Sequence, residues 1–331
     1  MSIPTTVQHW VLRPPSGQTT HQIRSRPIDI VITGANGAVG ASLIKYLGEV
    51  LPAGPTRLRG LVRSLERAQS LSVLAVEAVK VDYHRPDSLQ GAVVGADAVV
   101  HLSGALLTHP GETLLEANVE TTRAVVEAST SAGVKTFVYL SFPGANPASK
   151  NSYLRSKGMA EEIIQEAGFS GAIFRVPMIL GPESPSLVRL CQMAVAPLVP
   201  LLGGGSVRIQ PISQDNVLAA IKWAISFATQ PVRVLDLVGP ETLTYAELLR
   251  RVGQRLGRRP RVFRVPKAAG WLSAMLAGSL APSLGWNRSV FDFLFNEHLA
   301  DQSHARAVLP FALTPVNEAL DQAVPPRVEK L

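Results

Sequence analysis

Cysteine is almost missing from these 331 residues. Cys191 stands alone, so neither an internal disulfide framework nor a cysteine-rich zinc module is available, which fits a reducing compartment. The seven histidines (His9, His21, His84, His101, His109, His298, His304) form no HxxxH or HExxH pair, and no serine-hydrolase elbow is present. Metal and triad chemistry are therefore not expected. The first 27 residues hold no continuous apolar run of the kind a secretory signal needs. Charged residues reach only 17% against 46% apolar, which excludes wholesale disorder and allows a large core.

Acidic residues are also few, 25 against 32 Lys and Arg, giving a formal net charge of +7. The excess is local. Arg250, Arg251, Arg255, Arg258, Arg259, Arg261, Arg264 and Lys267 follow one another without an acid, and without them the chain is close to neutral. Such a run reads first as a solvated helix face and turn. The sharper reading is a peripheral contact with an anionic membrane through residues 250–286, since Ala268–Trp286 carries no charge. Three glycines and Pro282 lower the hydropathy of that stretch, and Leu272, Met275, Leu276 and Leu280 share one helical face, so a buried lobe helix is expected instead of a membrane span. Nucleic acid is not expected as a partner, because only Phe263 interrupts the basic run as a stacking aromatic.

Residues 1–27 read as an irregular N-terminal extension. From Ile28 short apolar runs alternate with helical stretches: Ile28–Thr33, Arg57–Val62, Ala78–Asp82, Ala98–Leu102, Thr136–Ser141 and Ala172–Val176. Bounded by Gly, Asp and Pro, they predict buried parallel strands joined by crossover helices, the clearest over Glu112–Ala132. The expected fold is α/β, a doubly wound parallel Rossmann sheet over 28–177 with a smaller, mainly helical C-terminal lobe over 178–331. Within that lobe, 212–238 is expected to return to the sheet.

The first strand runs into Gly34-Ala35-Asn36-Gly37-Ala38-Val39-Gly40 and then a helix. Strand, glycine-rich turn and helix start are what a dinucleotide pyrophosphate requires: a tight turn, close backbone approach and free amides at the positive end of a helix. The second strand ends Leu61-Val62-Arg63-Ser64 without the acid that would hold an adenosine ribose diol. Arg63, supported by Arg67, suits a 2′-phosphate instead, so the cofactor is read as NADP(H).

The spacing GxxGxxG in Thr-Gly-Ala-Asn-Gly-Ala-Val-Gly resembles the short-chain dehydrogenase/reductase superfamily, in its extended or atypical branch, and the resemblance covers about Ile28 to Arg264. It implies that Asp82 contacts adenine, that Leu102, Ser103 and Gly104 line the cofactor channel, and that Pro177, in the loop that opens the substrate lobe, also belongs to the cofactor site. It also assigns Tyr153 and Lys157, a YxxxK pair on one helical face, to proton transfer, Ser141 to orienting a carbonyl, and Asn118 to supporting the lysine. The lysine charge is expected to draw the tyrosine pKa down. Phe142 and Pro143 depart from the small or hydroxylated residues usual after that serine. The phrase Tyr-Leu-Arg-Ser-Lys followed within a few residues by Ala-Glu-Glu is similar to the subgroup around the NADPH-binding accessory subunit of respiratory complex I.

The expectation is a cytoplasmic, NADP(H)-dependent oxidoreductase. It would transfer hydride to or from a carbonyl or secondary alcohol of a small hydrophobic molecule, and by resemblance would form a homodimer. A noncatalytic NADPH-binding or quinone-linked scaffold and a nucleotide-sugar epimerase or dehydratase are the alternatives.

Overall fold

β1 (Ile28–Thr33) is β-branched at five of six positions and buried from Asp29 onward, which a strand covered on both faces requires. In the computed structural model, which describes residues 28–51, 56–66, 71, 76–108, 111–226, 231–266, 268–269 and 288–324, it is an inner strand of a seven-stranded sheet. The N-terminal extension, Arg67, Lys267 and residues 270–287 lie outside the described residues.

β1 is followed by α1 (Ala38–Val50), β2 (Thr56–Val62), β3 (Glu77–Lys80), α2 (Pro86–Val93) and β4 (Ala98–His101). A π-helical turn, Leu115–Glu120, runs into α3 (Thr121–Ser131), and β5 (Thr136–Ser141), α4 (Ser152–Glu166) and β6 (Ser170–Arg175) complete the series. All pairings in the sheet are parallel, with β3, β2, β1, β4, β5 and β6 in spatial order. The strand Arg233–Asp236 extends the sheet beyond β6, so the chain does return to it after the first lobe segment. The direction of winding reverses between β1 and β4, the crevice where such sheets bind ligands.

Alternation along β1 divides the core. Ile30 and Ile32 face α1 and the helix Gln214–Ser226, while Val31 faces a second cluster with Val99, Phe137 and residues of α2, α3 and α4. At the edge away from the crevice, Arg59 donates to Asp29 Oδ1 at 2.9 Å and to the carbonyls of Ala92 and Val94 at 2.7 and 3.1 Å. One buried guanidinium thus satisfies the end of α2 and neutralises a strand carboxylate. A third cluster, built on Leu187, Leu190, Leu248, Leu249 and Leu320, holds the C-terminal lobe together. Cys191 packs beside it, and burial pushes its thiol pKa up, which suits a packing residue and not a nucleophile.

Two boundaries differ from expectation. The helix read from Glu112 begins only at Leu114, because Thr113 and Glu116 form a capping box: Glu116 N donates to Thr113 Oγ1 at 3.1 Å and Thr113 N donates to Glu116 Oε2 at 2.7 Å. The basic run is not all helix and turn. Helix Tyr245–Arg255 ends near Gly257, and Arg261–Val265 is a strand paired in parallel with Leu198–Leu202.

Candidate active site

The glycine loop is shaped as a cradle. Gly34 adopts φ +65°, and a Cβ there would sit 3.0 Å from the Leu102 carbonyl carbon. A Cβ on Gly40 would overlap the Gly34 carbonyl oxygen and lie 2.9 Å from Ala35 Cα, so α1 packs on the turn only with glycine at this position. α1 opens at Ala38 and Val39 with neither a side-chain cap nor an acid in its first turn, leaving its leading amides for an anion. In front of this loop lies a cavity of about 280 Å³. Gly34, Asn36, Gly37, Leu102, Ser103 and Gly104 line it at the β1/β4 crevice, and Arg63 with Ser64 lines it at the end of β2. The cradle and the cavity fit a dinucleotide.

Arg63 is exposed, and its guanidinium donates to Glu112 Oε1 at 3.2 Å. Asp82 is not among the lining residues. Its Oδ1 accepts from His84 N at 3.0 Å, and its own amide donates to Ser88 Oγ, which spends it on the turn after β3. The neighbouring Tyr83 lines the cavity instead, its hydroxyl 2.8 Å from Ser103 Oγ.

The catalytic candidates gather beyond Gly104. A Cβ on Gly104 would lie 2.7 Å from Asn118 Oδ1 and 3.8 Å from Lys157 Nζ, so the glycine lets the cavity wall pass against both. Asn118 sits in the π-helical turn. Its Oδ1 accepts from Ala105 N, and its Nδ2 donates to Ala105 O and to Ser156 Oγ at 3.1 Å. It therefore ties the loop after β4 to α4. Pro177 is half-buried two residues past β6. Ser141, at the carboxyl end of β5, is 5% exposed, and its buried Oγ has no hydrogen-bond partner among the described residues.

Asn151 starts α4 by accepting from Tyr153 N and Leu154 N at 3.0 and 3.2 Å, which fixes the first turn where Tyr153 stands. Lys157, one turn later and buried, is directed elsewhere. Its Nζ donates to Tyr139 Oη at 2.7 Å and to Leu140 O at 2.8 Å, and it stands 4.2 Å from the Tyr139 ring centroid. Burial lowers its pKa to about 7, with Glu161 opposing the shift. The expectation that lysine draws Tyr153 down is corrected: burial pushes the Tyr153 phenol up, because apolar rings surround it and the cation bonds to Tyr139.

Behind Lys157 lies a buried polar chain. His101 stacks on Tyr139 with centroids 5.5 Å apart, and burial followed by the Lys157 charge pushes its pKa down to about 3. Thr122 Oγ1 donates to Asn118 O at 2.6 Å, so His101 Nε2 must carry the hydrogen in its 3.0 Å contact with Thr122. Nδ1 then accepts from Thr33 Oγ1 at 2.8 Å, and that same oxygen receives the amides of Leu102 and Ser103. A neutral histidine thereby holds the β1 and β4 ends of the cavity in register.

Sequence reasoning missed Tyr139, Phe293 and His298. Phe293, on helix Arg288–Phe295, lies 4.8 Å edge-on from Tyr153 and 4.8 Å from Phe142, while His298 stacks on Phe293 and its Nε2 donates to Phe293 O at 2.9 Å. Nothing in the local sequence near 293 points 140 residues back. The Phe142 departure after Ser141 was the available signal, since a large ring there needs a partner.

A family described as NAD(P)H-binding matches residues 34–190. The ceramide reductase of Caulobacter vibrioides is 29% identical over 300 residues, covering 89% of each protein. A mitochondrial NADH dehydrogenase (ubiquinone) 1 alpha subcomplex subunit 9 of Arabidopsis thaliana is 26% identical over 250 residues, 73% of this chain and 62% of that protein. Among solved structures, the NADPH-dependent quinone oxidoreductase QOR2 of Escherichia coli, complexed with NADPH, matches with a TM-score of 0.68 at 20% identity, over 88% of this chain and 98% of that one. At that identity the likeness is one of fold. Two of these three proteins are named for a nicotinamide nucleotide, the class of ligand the cradle fits.

Proposed function

We propose that this chain, which an NAD(P)H-binding family matches over 34–190 and which resembles the atypical short-chain dehydrogenase/reductases, is an NADPH-dependent reductase of a small hydrophobic carbonyl compound. The carrying observation is that Gly104, in the lining of the nucleotide cavity, lies directly against Asn118 and close to Lys157 Nζ. The dinucleotide, when bound, supplies hydride. The chain supplies the proton and the alignment. Tyr153, held protonated by burial, donates from its phenol to the developing alkoxide, which favours the reductive direction. Lys157, with a pKa of about 7, is present both charged and neutral near neutrality and is suited to restoring that proton. The Ser141 Oγ offers the carbonyl oxygen a hydrogen bond that no group among the described residues takes. Arg63 beside the cavity supports the choice of NADPH.

Phe142, Phe293 and the half-buried Met178 and Ile179 favour an apolar substrate. One observation favours a second reading, a nucleotide-holding scaffold: Tyr153 is walled by Phe142 and Phe293, and Lys157 bonds Tyr139. Titration with NADPH and NADH, followed by NADPH consumption against long-chain ketones and quinones, separates the two. NADPH should bind more tightly than NADH, and Tyr153→Phe should reduce turnover by about 10²-fold or more with NADPH affinity kept. Turnover that survives Tyr153→Phe overturns the proton-donor role, and tight NADPH binding with no turnover on any of these carbonyls supports the scaffold.

A further inference from the structure

Of the seven arginines between Arg250 and Arg264, two are consumed by the protein itself. Arg251 pairs with Glu241 and Glu247 at 2.9 and 2.6 Å, and Arg255 with Asp321 at 2.7 Å. Arg258, Arg259, Arg261 and Arg264 are all exposed, and none of their guanidinium groups has an ion pair or hydrogen bond among the described residues. They sit on and beside the parallel ribbon Leu198–Leu202 with Arg261–Val265, where Arg261 is opposite Leu198 and Phe263 opposite Pro200. Val199 and Leu201 point into the lobe core, at 2% and 5% exposure. The other face of the ribbon is therefore outward, and it presents Leu198 at 55% and Phe263 at 44% exposure.

The charge is one-signed over a longer stretch than the ribbon. Residues 184–214 and 248–291, which supply the two strands, contain no Asp or Glu at all. Three uncompensated guanidinium groups, those of Arg258, Arg259 and Arg261, accompany the two exposed apolar side chains, and Arg264, opposite Leu201 in the register, adds a fourth exposed cation from the other side of the same edge strand. A scattered apolar residue needs no explanation, but an apolar pair ringed by cations of one sign matches a specific kind of partner.

We propose that this ribbon docks on an anionic lipid bilayer. Arg258, Arg259, Arg261 and Arg264 would contact lipid phosphates while Phe263 and Leu198 enter the headgroup boundary. A second copy of this chain is a poor occupant, because the same arginines would face one another across the contact. A nucleic acid would satisfy the charge, but Phe263 is the only aromatic on the ribbon, which leaves no stacking platform along a strand. The inference does not rest on the reductase reading, because it involves neither Tyr153 nor the nucleotide cavity.

The test is flotation of the full chain with phosphatidylcholine vesicles, with and without phosphatidylglycerol. Binding is expected only with the anionic lipid, weakening as salt is raised. Replacing the four arginines (Arg258→Gln, Arg259→Gln, Arg261→Gln, Arg264→Gln) should lower partitioning roughly a hundredfold. Phe263→Ser should lower it by roughly tenfold at low and high salt alike, since an apolar contribution is not screened. Unchanged NADPH affinity in both variants shows that they remain folded. Equal flotation with neutral vesicles, full flotation of the four-arginine variant, or no flotation would overturn the proposal, as would tighter binding to a duplex oligonucleotide than to anionic vesicles.

Discussion

Two buried side chains carry opposite lessons about charge. Lys157 keeps a cation inside the protein with two acceptors, Tyr139 Oη and Leu140 O, and burial still brings its pKa to about 7. His101, stacked on the same tyrosine, remains neutral because protonation would bury a second positive charge beside the first. This has a pH consequence. The unfolded chain takes up a proton at His101 near the ordinary histidine value of 6.5, whereas the folded protein resists until about 3. The unfolded state binds more protons in that window, so the His101 contribution is fully present above pH 6.5 and is lost as pH falls toward 3. Urea midpoints measured across this range should fall more steeply for the wild type than for His101→Gln, with a difference of at most about 1.4 kcal/mol per pH unit. Parallel curves for the two proteins would refute the assignment. The tautomer deduced from Thr122 is part of the same argument, because only neutral His101 can accept from Thr33 while donating to Thr122.

Elements whose reasons are local were the ones legible beforehand. The strand–glycine turn–helix unit is written in consecutive residues, and β5 begins and ends where its apolar run does, at Thr136 and Ser141. The strand Arg261–Val265 was not legible, because its arginines read as solvated helix and its partner strand lies some sixty residues earlier. The helix Arg288–Phe295 could be expected as helical, but its seat against α4 and Tyr153 depends on three-dimensional packing alone. The YxxxK spacing placed Tyr153 and Lys157 on one face correctly, yet it could not show that the ammonium turns to β5. α4 supplies a prediction at this scale. Asn151 bonds two amides of its first turn, one of them that of Tyr153. Asn151→Ala should cost about 1 kcal/mol in urea unfolding and lower kcat by loosening the Tyr153 turn, while Asn151→Asp retains most of both. An alanine variant with native stability and kcat would show that the cap positions nothing.

For the molecule as a whole, the arrangement separates holding from reacting. The Arg59–Asp29 pair and the α2 carbonyls lock one edge of the sheet, while the opposite edges of β1, β2 and β4 end in loops around the cavity. Nucleotide binding there is coupled to folding of the whole nucleotide half, because the cradle exists only when β1, α1 and β4 are assembled. NADPH at about a hundred times its Kd should therefore add about 2.7 kcal/mol to unfolding and raise Tm by a few degrees. The shift should be largest for NADPH, smaller for NADH and absent for a Gly40→Ala variant, whose added methyl collides with the loop. A Tm indifferent to either nucleotide would count against the cavity as their site.

The π-helical turn at Leu115–Glu120 carries one residue more than an α-helical path would use. Its two ends are fixed independently: the Thr113–Glu116 capping box holds the start, and Val125 and Val126 of α3 are buried in the core at the finish. The surplus residue is therefore a phase shifter, setting Asn118 toward Ala105 and Ser156 without turning α3. Losing a single residue there would rotate one side of the helix about 100° against the other. Length, and not only residue identity, is thus under constraint in this segment, and an insertion or deletion that a surface loop would absorb would here disconnect β4 from α4.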